Sequence, residues 1–310
     1  MKSLLKPNRK EWIKQKAIEL GFSDTTFAKA EFMEEESERL KTWLNNGFQG
    51  QMDYMNNHFD KRVDPSLLVE NAKTVICFSY NYYTETSQSE DIPKIAMYAY
   101  GRDYHKVIKK KLKQLSELIK EEFGSFQGRS FVDSAPILER DWARRSGLGW
   151  VGKNTLLIHP KKGSYFFLAE MIVDFEVEYD SPIDDYCGTC TKCIDACPTD
   201  AIDQNGYVVD GSQCISYLTI ELKDEIPIEF KGKMDNYVFG CDICQQVCPW
   251  NRFSVEHNEI DFLAQEEFLN MGTSDWHELD EDRFDQLFEG SAVKRTGYKG
   301  LKRNIDFIKD

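Results

Sequence analysis

Eight of the nine cysteines lie between Cys187 and Cys248. Their spacing is Cys-x2-Cys-x2-Cys-x3-Cys-Pro, then a single cysteine, then Cys-x2-Cys-x3-Cys-Pro. Runs of this kind bind [4Fe–4S] clusters, and the cysteine before the proline reaches across to the other cluster of a pair. We therefore predict two clusters, with the ligand sets Cys187, Cys190, Cys193 and Cys248 for one, and Cys197, Cys214, Cys241 and Cys244 for the other.

Zinc and disulfide bonds are the alternatives for so many cysteines. Zinc prefers paired Cys-x2-Cys knuckles, and a run of three cysteines followed by x3 and proline does not divide into such pairs. Disulfides need an oxidising compartment, whereas the first residues, MKSLLKPNRKEW, lack the apolar region of a secretory signal. The ninth cysteine, Cys77, lies in the apolar run TVICFSY and is expected to be a buried, inert thiol.

The densest set of other reactive side chains is the segment 131–155, FVDSAPILERDWARRSGLGWVGKNT. Asp133 ends a predicted strand, where a side chain can be presented to a pocket. Arg140 and Arg144 are one helical turn apart and share a face, and Lys153 and Asn154 follow with a charge and amide donors. Asp133 could equally cap the helix that follows, so a catalytic and a structural role both stay open.

Two shorter segments also contain side chains that can transfer protons or bind ligands. The segment YAYGRDYH at 98–105 places Tyr104 and His105 at the start of a lysine-rich helix, and QMDYMNNHFDKRVDP at 51–65 contains His58. Histidine titrates near neutral pH and can donate or accept a proton, although a lone histidine is more often structural. The tyrosine and methionines of the second segment fit a hydrophobic core equally well.

The elements that position these residues follow from the hydrophobic pattern. Helices are predicted over 8–20, 30–46, 104–123 and from Pro136 to about Ser146. Strands are predicted over 74–79, 131–134, 155–158 and 165–178. Because strands alternate with helices and the length fits about two domains, we expect an α/β (α+β) domain over 1–180. A bacterial-type two-[4Fe–4S] ferredoxin-like module would follow over 181–256, and a helical, basic tail over 257–310.

The formal net charge of −14 argues against a general nucleic-acid coat. Basic residues nevertheless gather in three segments, within 106–113, 140–162 and 294–303. Such runs are often only solvated helix faces, but an anionic partner could still bind a basic face of an acidic protein. No stretch approaches the ~20 apolar residues of a membrane span, and no Gly-x-Gly-x-x-Gly follows a strand to indicate a Rossmann site.

Taken together, these segments resemble epoxyqueuosine reductase, the cobalamin-dependent iron–sulfur enzyme of tRNA queuosine biosynthesis. The matching stretches are MDYMNNHFDKRVDP, YGRDYH, VDSAPILERDWARRSGLGWVGKNTLLI, CGTCTKCIDACPTDAI, CISYLTIE, FGCDICQQVCPWN and SAVKRTGYKGLKRN. The resemblance covers nearly the whole sequence. Some members of that family carry an additional C-terminal helical-repeat domain, and the matching segments here end before one.

The resemblance implies a base-off cobalamin, as cob(II)alamin, held between the α/β domain and the ferredoxin-like module and reduced through the two clusters. It implies reduction of epoxyqueuosine to queuosine at the anticodon wobble position of tRNA, with water as the other product. Asp133 matches the family's proton donor, and desolvation near the corrin is expected to favour its protonated form. The residues expected to bind the cofactor are His58, Tyr104, His105, Arg140, Lys153 and Asn154.

The expected partners are tRNA carrying epoxyqueuosine and a low-potential electron donor, with no membrane, a monomeric state and a cytoplasmic location. Two other functions stay open. A reductive dehalogenase has a similar cobalamin and ferredoxin architecture, but the missing export signal and the basic tail argue against it. A ferredoxin-like electron carrier would not require the Asp133 segment or so large an α/β domain.

Overall fold

The computed structural model describes residues 7–309. The strands are β1 Asp24–Lys29, β2 Thr74–Asn81, β3 Lys94–Ile95, β4 Gly128–Phe131, β5 Trp150–Val151, β6 Leu157–Ile158, β7 Phe166–Val173 and β8 Tyr237–Phe239. The α-helices are α1 Arg9–Glu19, α2 Glu34–Asn45, α3 Phe59–Val63, α4 Tyr104–Phe123, α5 Glu139–Arg145, α6 Lys192–Asp195, α7 Ile215–Ile220, α8 Ile243–Gln246, α9 Glu266–Leu269, α10 Thr273–His277, α11 Glu281–Leu287 and α12 Gly297–Ile308.

A four-stranded antiparallel sheet forms the centre of the N-terminal half, with strand order β1-β2-β7-β4. Strands β2 and β7 lie in the middle because their sequences are apolar on both faces. On one face, Ile76 and Phe78 pack with α1 and α4. On the other face, Val75 and Cys77 pack with Trp142 of α5. The sheet is therefore covered by helices on both sides.

The cysteine-rich segment and the C-terminal helices pack onto this domain as one continuous body. Strand β3 pairs in parallel with β8, which joins the two parts of the chain through backbone hydrogen bonds. A hydrophobic cluster then links Ile95 and Phe239 to Trp276, Phe284 and Leu301 of the C-terminal helices. The division at 180 and 256 stays a prediction. Helices α9 to α12 pack against β8 in this cluster.

Several elements agree with the sequence predictions, and others differ for physical reasons. The helix over 104–123 and the strand over 74–79 are confirmed as α4 and β2. The start of the helix predicted at Pro136 is wrong, since α5 begins at Glu139. Asp133 has a left-handed backbone (φ 55°), and turn hydrogen bonds from Ser134 to Ile137 delay the helix. Strand β1 was not predicted, and α2 begins only at Glu34.

The mixed α/β architecture is confirmed, and the antiparallel sheet assigns it to the α+β class. Within residues 7–309, no helix is both long and apolar enough to cross a membrane. The prediction about a secretory signal concerns residues 1–12, and residues 1–6 of that segment lie outside the described residues.

Candidate active site

The eight clustered cysteines form two neighbouring groups. In the first group, burial and the nearby Cys248 and Cys187 raise the pKa of Cys193 to about 11. Burial likewise raises the pKa of Cys248, with Cys187 and Cys190 contributing. Thiols that repel one another in this way lie close together. These influences place Cys187, Cys190, Cys193 and Cys248 near one another, and their assignment to one cluster stays a prediction.

The second group is built in the same way around Cys244. Burial raises the pKa of this thiol, and Cys214, Cys193 and Cys197 raise it further. The pKa of Cys241 is also raised, by burial and then by Cys244 and Cys214. Because Cys193 belongs to the first group, its influence on Cys244 shows that the two groups are neighbours.

A cavity of about 320 Å³ lies between the second cysteine group and the central sheet. All four thiol-bearing residues of that group line it, and they are Cys197, Cys214, Cys241 and Cys244. Leu157, Phe166 and Leu168 form an apolar wall on the side of the sheet. No cysteine of the first group lines this cavity, so the first group lies behind the second as seen from the cavity.

Two of the predicted cofactor-binding residues line the cavity. Arg140 donates to the carbonyl oxygen of Thr155 at 2.6 Å, and Asn154 donates to the carbonyl oxygen of Cys244 at 3.3 Å. Lys153 instead donates from Nζ to the carbonyl oxygens of Gly188 and Cys190 in the first cysteine loop, at 2.8 and 3.0 Å.

Two other basic residues of the sequence analysis lie outside the cavity lining. His58 is exposed at the start of α3, and its ring makes no hydrogen bond within residues 7–309. Arg144 forms an ion pair with the fully buried Glu36 at 2.7 Å, and Arg145 binds the other oxygen of that carboxylate. Arg144 therefore holds α5 to α2.

Asp133 lies in the turn between β4 and α5, where its left-handed backbone directs the side chain towards the first turn of α4. Its Oδ2 atom accepts from the Tyr104 hydroxyl at 3.0 Å and lies 3.0 Å from Nε2 of His105. The other ring nitrogen of His105 lies 2.7 Å from Oδ1 of Asp103, which also caps α4 by accepting from the His105 backbone N–H. The structure thus brings together Asp133, Tyr104 and His105.

Aromatic stacking fixes this group in place. The Tyr104 ring stacks on Phe167 of β7 with centroids 4.1 Å apart and an angle of 7° between the planes. Tyr98, which lines the cavity, packs edge-on against Tyr104 at 6.1 Å. Asp133 is therefore connected to the cavity through two packed tyrosine rings.

The pKa values of His105 and Asp133 are determined by burial and hydrogen bonding, which act in opposite directions. Burial lowers the pKa of His105, but the hydrogen bonds to Asp133 and Asp103 outweigh it and hold the pKa above 6.5. Burial raises the pKa of Asp133, but the hydrogen bond and charge of His105, with the Tyr104 hydroxyl, hold it below 3.8. The expectation of a protonated Asp133 is therefore wrong for this structure. The raised pKa of His105 and the lowered pKa of Asp133 favour the proton on the His105 ring, which can then donate to Asp133.

Three further side chains at this site were not singled out from the sequence. Glu139 accepts a hydrogen bond from the Asp133 backbone N–H at 2.5 Å. Glu170 is fully buried on β7, and a single carboxyl group inside the apolar run FFLAEMIV was a signal for it. Arg295 binds Glu221 at 2.8 Å, and its charge helps to lower the pKa of Asp133. No local pattern distinguished Glu139 or Arg295.

Comparison with known proteins decides the family. The family model for epoxyqueuosine reductase QueG matches residues 62–134, and the model for a 4Fe-4S double cluster binding domain matches residues 186–251. An epoxyqueuosine reductase from Cellulophaga algicola is 58% identical over 304 residues, which are 98% of this chain and 99% of that protein. This chain belongs to the epoxyqueuosine reductase family. The predicted family membership is thereby confirmed.

Solved structures agree with this assignment. A crystal structure of epoxyqueuosine reductase with a tRNA-Tyr epoxyqueuosine-modified tRNA stem loop superposes with a TM-score of 0.86 and 31% identity, covering 96% of this chain and 80% of that one. A catabolic reductive dehalogenase shares the fold alone, with a TM-score of 0.53 and 17% identity over 98% of this chain and 39% of that one. The family assignment favours epoxyqueuosine reduction over a reductive dehalogenase or a ferredoxin-like electron carrier.

Proposed function

We propose that this chain is an oxidoreductase that reduces epoxyqueuosine to queuosine at the wobble position of tRNA. Both carbon–oxygen bonds of the epoxide break and a carbon–carbon double bond forms. Two electrons enter through iron–sulfur clusters and cobalamin, and two protons leave with the oxygen as water. Two findings support this proposal. The chain belongs to the epoxyqueuosine reductase family, and packed tyrosine rings connect the cysteine-lined cavity to Asp133 and His105.

The two cysteine groups are suited to [4Fe–4S] clusters. Iron binds thiolates, and iron cations would stabilise the thiolate forms that burial and then mutual repulsion disfavour. Within residues 7–309, no three His, Cys, Asp or Glu side chains converge closely enough for a single metal ion. A four-iron cluster occupies the volume between its ligands and therefore needs more widely spaced sulfurs. We assign the group nearest the cavity, with Cys197, Cys214, Cys241 and Cys244, to the inner cluster.

The cavity lining is also compatible with a base-off cobalamin. Leu157, Phe166 and Leu168 offer an apolar surface, while Arg140 and Asn154 can hydrogen-bond to amide groups at the edge of a corrin. Burial raises the pKa of Tyr98, so the phenol stays neutral and is a poor ligand for cobalt. When bound there, cobalamin would supply a strongly reducing cobalt centre for opening the epoxide.

The residues of this chain would control the proton. Asp133 remains the proposed proton donor, but the proton it delivers comes from His105 through the 3.0 Å contact. The Tyr104 hydroxyl donates a hydrogen bond to the same oxygen of Asp133 and thereby orients the carboxylate. A positioned acid of this kind typically contributes about 10²- to 10⁴-fold to a rate. Lys153 and His58 lie outside the cavity lining, and their contacts with the cofactor stay predictions.

The basic segment of α4 is the best-supported tRNA contact. Lys106, Lys109 and Lys110 are exposed, and Nζ of Lys109 lies 3.3 Å from the hydroxyl of Ser134, next to Asp133. Lysines beside the site can bind the phosphates that flank a modified base, which must be turned out of its stack to react.

The third basic segment, within residues 294–303, is less suited to binding tRNA. Arg303 donates to the carbonyl oxygens of Leu222 and Leu218 at 2.7 and 3.0 Å, and Lys302 donates to the carbonyl oxygen of His277 at 2.6 Å. Replacing Lys302 and Arg303 would therefore test packing of the C-terminal helices as much as tRNA binding.

Anaerobic reconstitution tests the proposal. The protein is loaded with iron, sulfide and cobalamin, and then given a low-potential reductant and tRNA from cells that lack this activity. Nucleoside analysis should detect queuosine, and omission of cobalamin should abolish it. An intact epoxide with fully loaded protein would contradict the proposed function. A low-potential electron donor, a monomeric state, a cytoplasmic location and the domain division at 180 and 256 accompany this proposal.

A further inference from the structure

Two carboxyl groups lie behind Asp133, with Glu170 fully buried and Glu139 half-buried. Glu170 occupies the centre of β7, where it faces Cys77 of β2 and Phe131 of β4 in the strand register. Its side chain is fully buried, and neither carboxyl oxygen has a hydrogen-bond donor among residues 7–309. An isolated carboxylate in such a place is very costly, so Glu170 must be neutral.

The polar neighbour of Glu170 is another carboxyl group, that of Glu139. Helix α5 packs against β7, and the carboxyl groups of Glu139 and Glu170 interact there. With both groups ionised, neither oxygen of Glu170 has a hydrogen-bond partner among the described residues, so a hydrogen bond between the two requires a proton on one of them. Two carboxylates in contact repel each other, and the pair is stable only when a proton lies between them. Glu170 can then donate to Glu139, which still has an oxygen available for another donor.

That second oxygen of Glu139 controls the turn that carries Asp133. Oε1 of Glu139 accepts from the Asp133 backbone N–H at 2.5 Å. Asp133 has φ of 55°, a left-handed conformation that is uncommon for residues other than glycine and needs support from its surroundings. The chain of hydrogen bonds from Glu170 through Glu139 to this N–H provides that support.

We propose that Glu139 and Glu170 form a proton-holding carboxyl pair whose task is to position Asp133 for the proposed epoxide reduction. Both are positioning residues, because Glu170 acts through Glu139 and Glu139 acts through the Asp133 backbone. The catalytic consequence of this inference rests on the proposed function. The presence of a proton between the two carboxyl groups is independent of that function.

The ionisation of the pair depends on the groups that face it. These are Asp133 in the turn, His105 and Tyr104 of α4, and Cys77 of β2, with Arg295 facing Asp133 from the C-terminal region. Burial and then the charge of Asp133 raise the pKa of Glu139 to about 8. Burial and then Glu139 raise the pKa of Glu170. The pair therefore keeps a proton at neutral pH and becomes more negative in alkaline solution.

Infrared spectroscopy of the holoenzyme tests the shared proton without any substrate. At pH 7.5 the wild-type protein should show the carbonyl stretching band of protonated carboxyl groups, and Glu170→Gln should lose the part of this band that Glu170 contributes. Glu36→Gln is the matched control, because Glu36 is equally buried but two arginines keep it ionised and hold its pKa low. If Glu170→Gln does not fold, the band should weaken in Glu139→Gln, which removes one of the two carboxyl groups.

Kinetics tests the positioning role. Glu139→Ala removes the acceptor for the Asp133 N–H and should lower kcat about 100-fold with KM little changed, because misplacement of a reacting group has that size of effect. Glu139→Gln keeps an amide oxygen for the N–H and should rescue most of this loss. It should also remove the fall in kcat that we expect for the wild type above about pH 8, where Glu139 loses its proton.

A wild-type spectrum without the band, or a Glu170→Gln spectrum identical to the wild type, would overturn the shared proton. Wild-type kcat in Glu139→Ala would overturn the positioning role. If the band is present but the wild-type holoenzyme leaves epoxyqueuosine intact, the proposed function fails while the carboxyl pair stands.

Discussion

Replacement of His105 by glutamine tests where the acidic proton resides. The ring of His105 lies between two carboxylates, 2.7 Å from Asp103 and 3.0 Å from Asp133. Only the imidazolium can donate to both, because a neutral ring has a single N–H. A glutamine amide can still donate a hydrogen bond to Asp133, but it cannot supply a proton to it.

The size of the effect follows from those contacts. A hydrogen bond to a charged group contributes about 1.5–3 kcal/mol. The lower value applies because 54% of the Asp133 side chain is exposed. Weaker orientation of Asp133 then costs about 10-fold in rate, and loss of the proton source costs about 100-fold. We therefore expect kcat for His105→Gln to fall between about 100- and 1,000-fold.

The pH dependence of kcat provides the measurement. The pKa of His105 is raised above 6.5, so its protonated form is present at lower pH and is lost as the pH rises through that raised value. Wild-type kcat should fall across this range, and the fall should be absent in His105→Gln. His159→Gln is a suitable control, since His159 lies 3.3 Å from Asp24 and does not line the cavity. A His105→Gln protein that keeps the wild-type rate and the same alkaline fall would refute the assignment.

Two other predictions concern stability and tRNA binding. Glu36→Gln should lower the free energy of unfolding by about 3 kcal/mol, because it leaves two arginines without their buried carboxylate. Glu38→Gln is the control in urea titrations, since it alters only an exposed ion pair and should lose less than about 1 kcal/mol. Equal losses in the two variants would contradict this account. Alanine at both Lys106 and Lys110 should weaken tRNA binding and flatten its salt dependence by about one unit of slope per lost phosphate contact. Lys233→Ala, an exposed lysine outside the three basic segments, serves as the control in filter binding, and an unchanged slope in the double variant would remove α4 from the interface.

The sequence was most informative where a pattern is local. The cysteine spacing predicted two ligand sets. Cys197, Cys214, Cys241 and Cys244 line one cavity, and the assignment of all eight residues to two clusters stays a prediction. Helix α4 followed from apolar residues at helical spacing, and β2 from a continuous apolar run. In both elements the side chains that determine the structure are close neighbours along the chain, so the local pattern alone identifies them.

The features that the sequence did not reveal depend on contacts between distant segments. Strand β1 has a weak pattern and is held by pairing with β2, about 50 residues later. The left-handed turn at Asp133 depends on Glu139 and delays α5 beyond Pro136. The protonation of Asp133 depends on His105, which only the tertiary fold places beside it. Desolvation alone suggested a protonated Asp133, but hydrogen bonding outweighs it.

The nucleoside composition of epoxyqueuosine-containing tRNA after a single anaerobic turnover tests the central claim most directly. The wild-type holoenzyme should convert epoxyqueuosine to queuosine. Asp133→Asn should bind cobalamin and take up electrons as the wild type does, yet leave the epoxide intact, because an asparagine amide cannot pass the His105 proton to the substrate oxygen. Queuosine formed by Asp133→Asn at the wild-type rate would contradict the account.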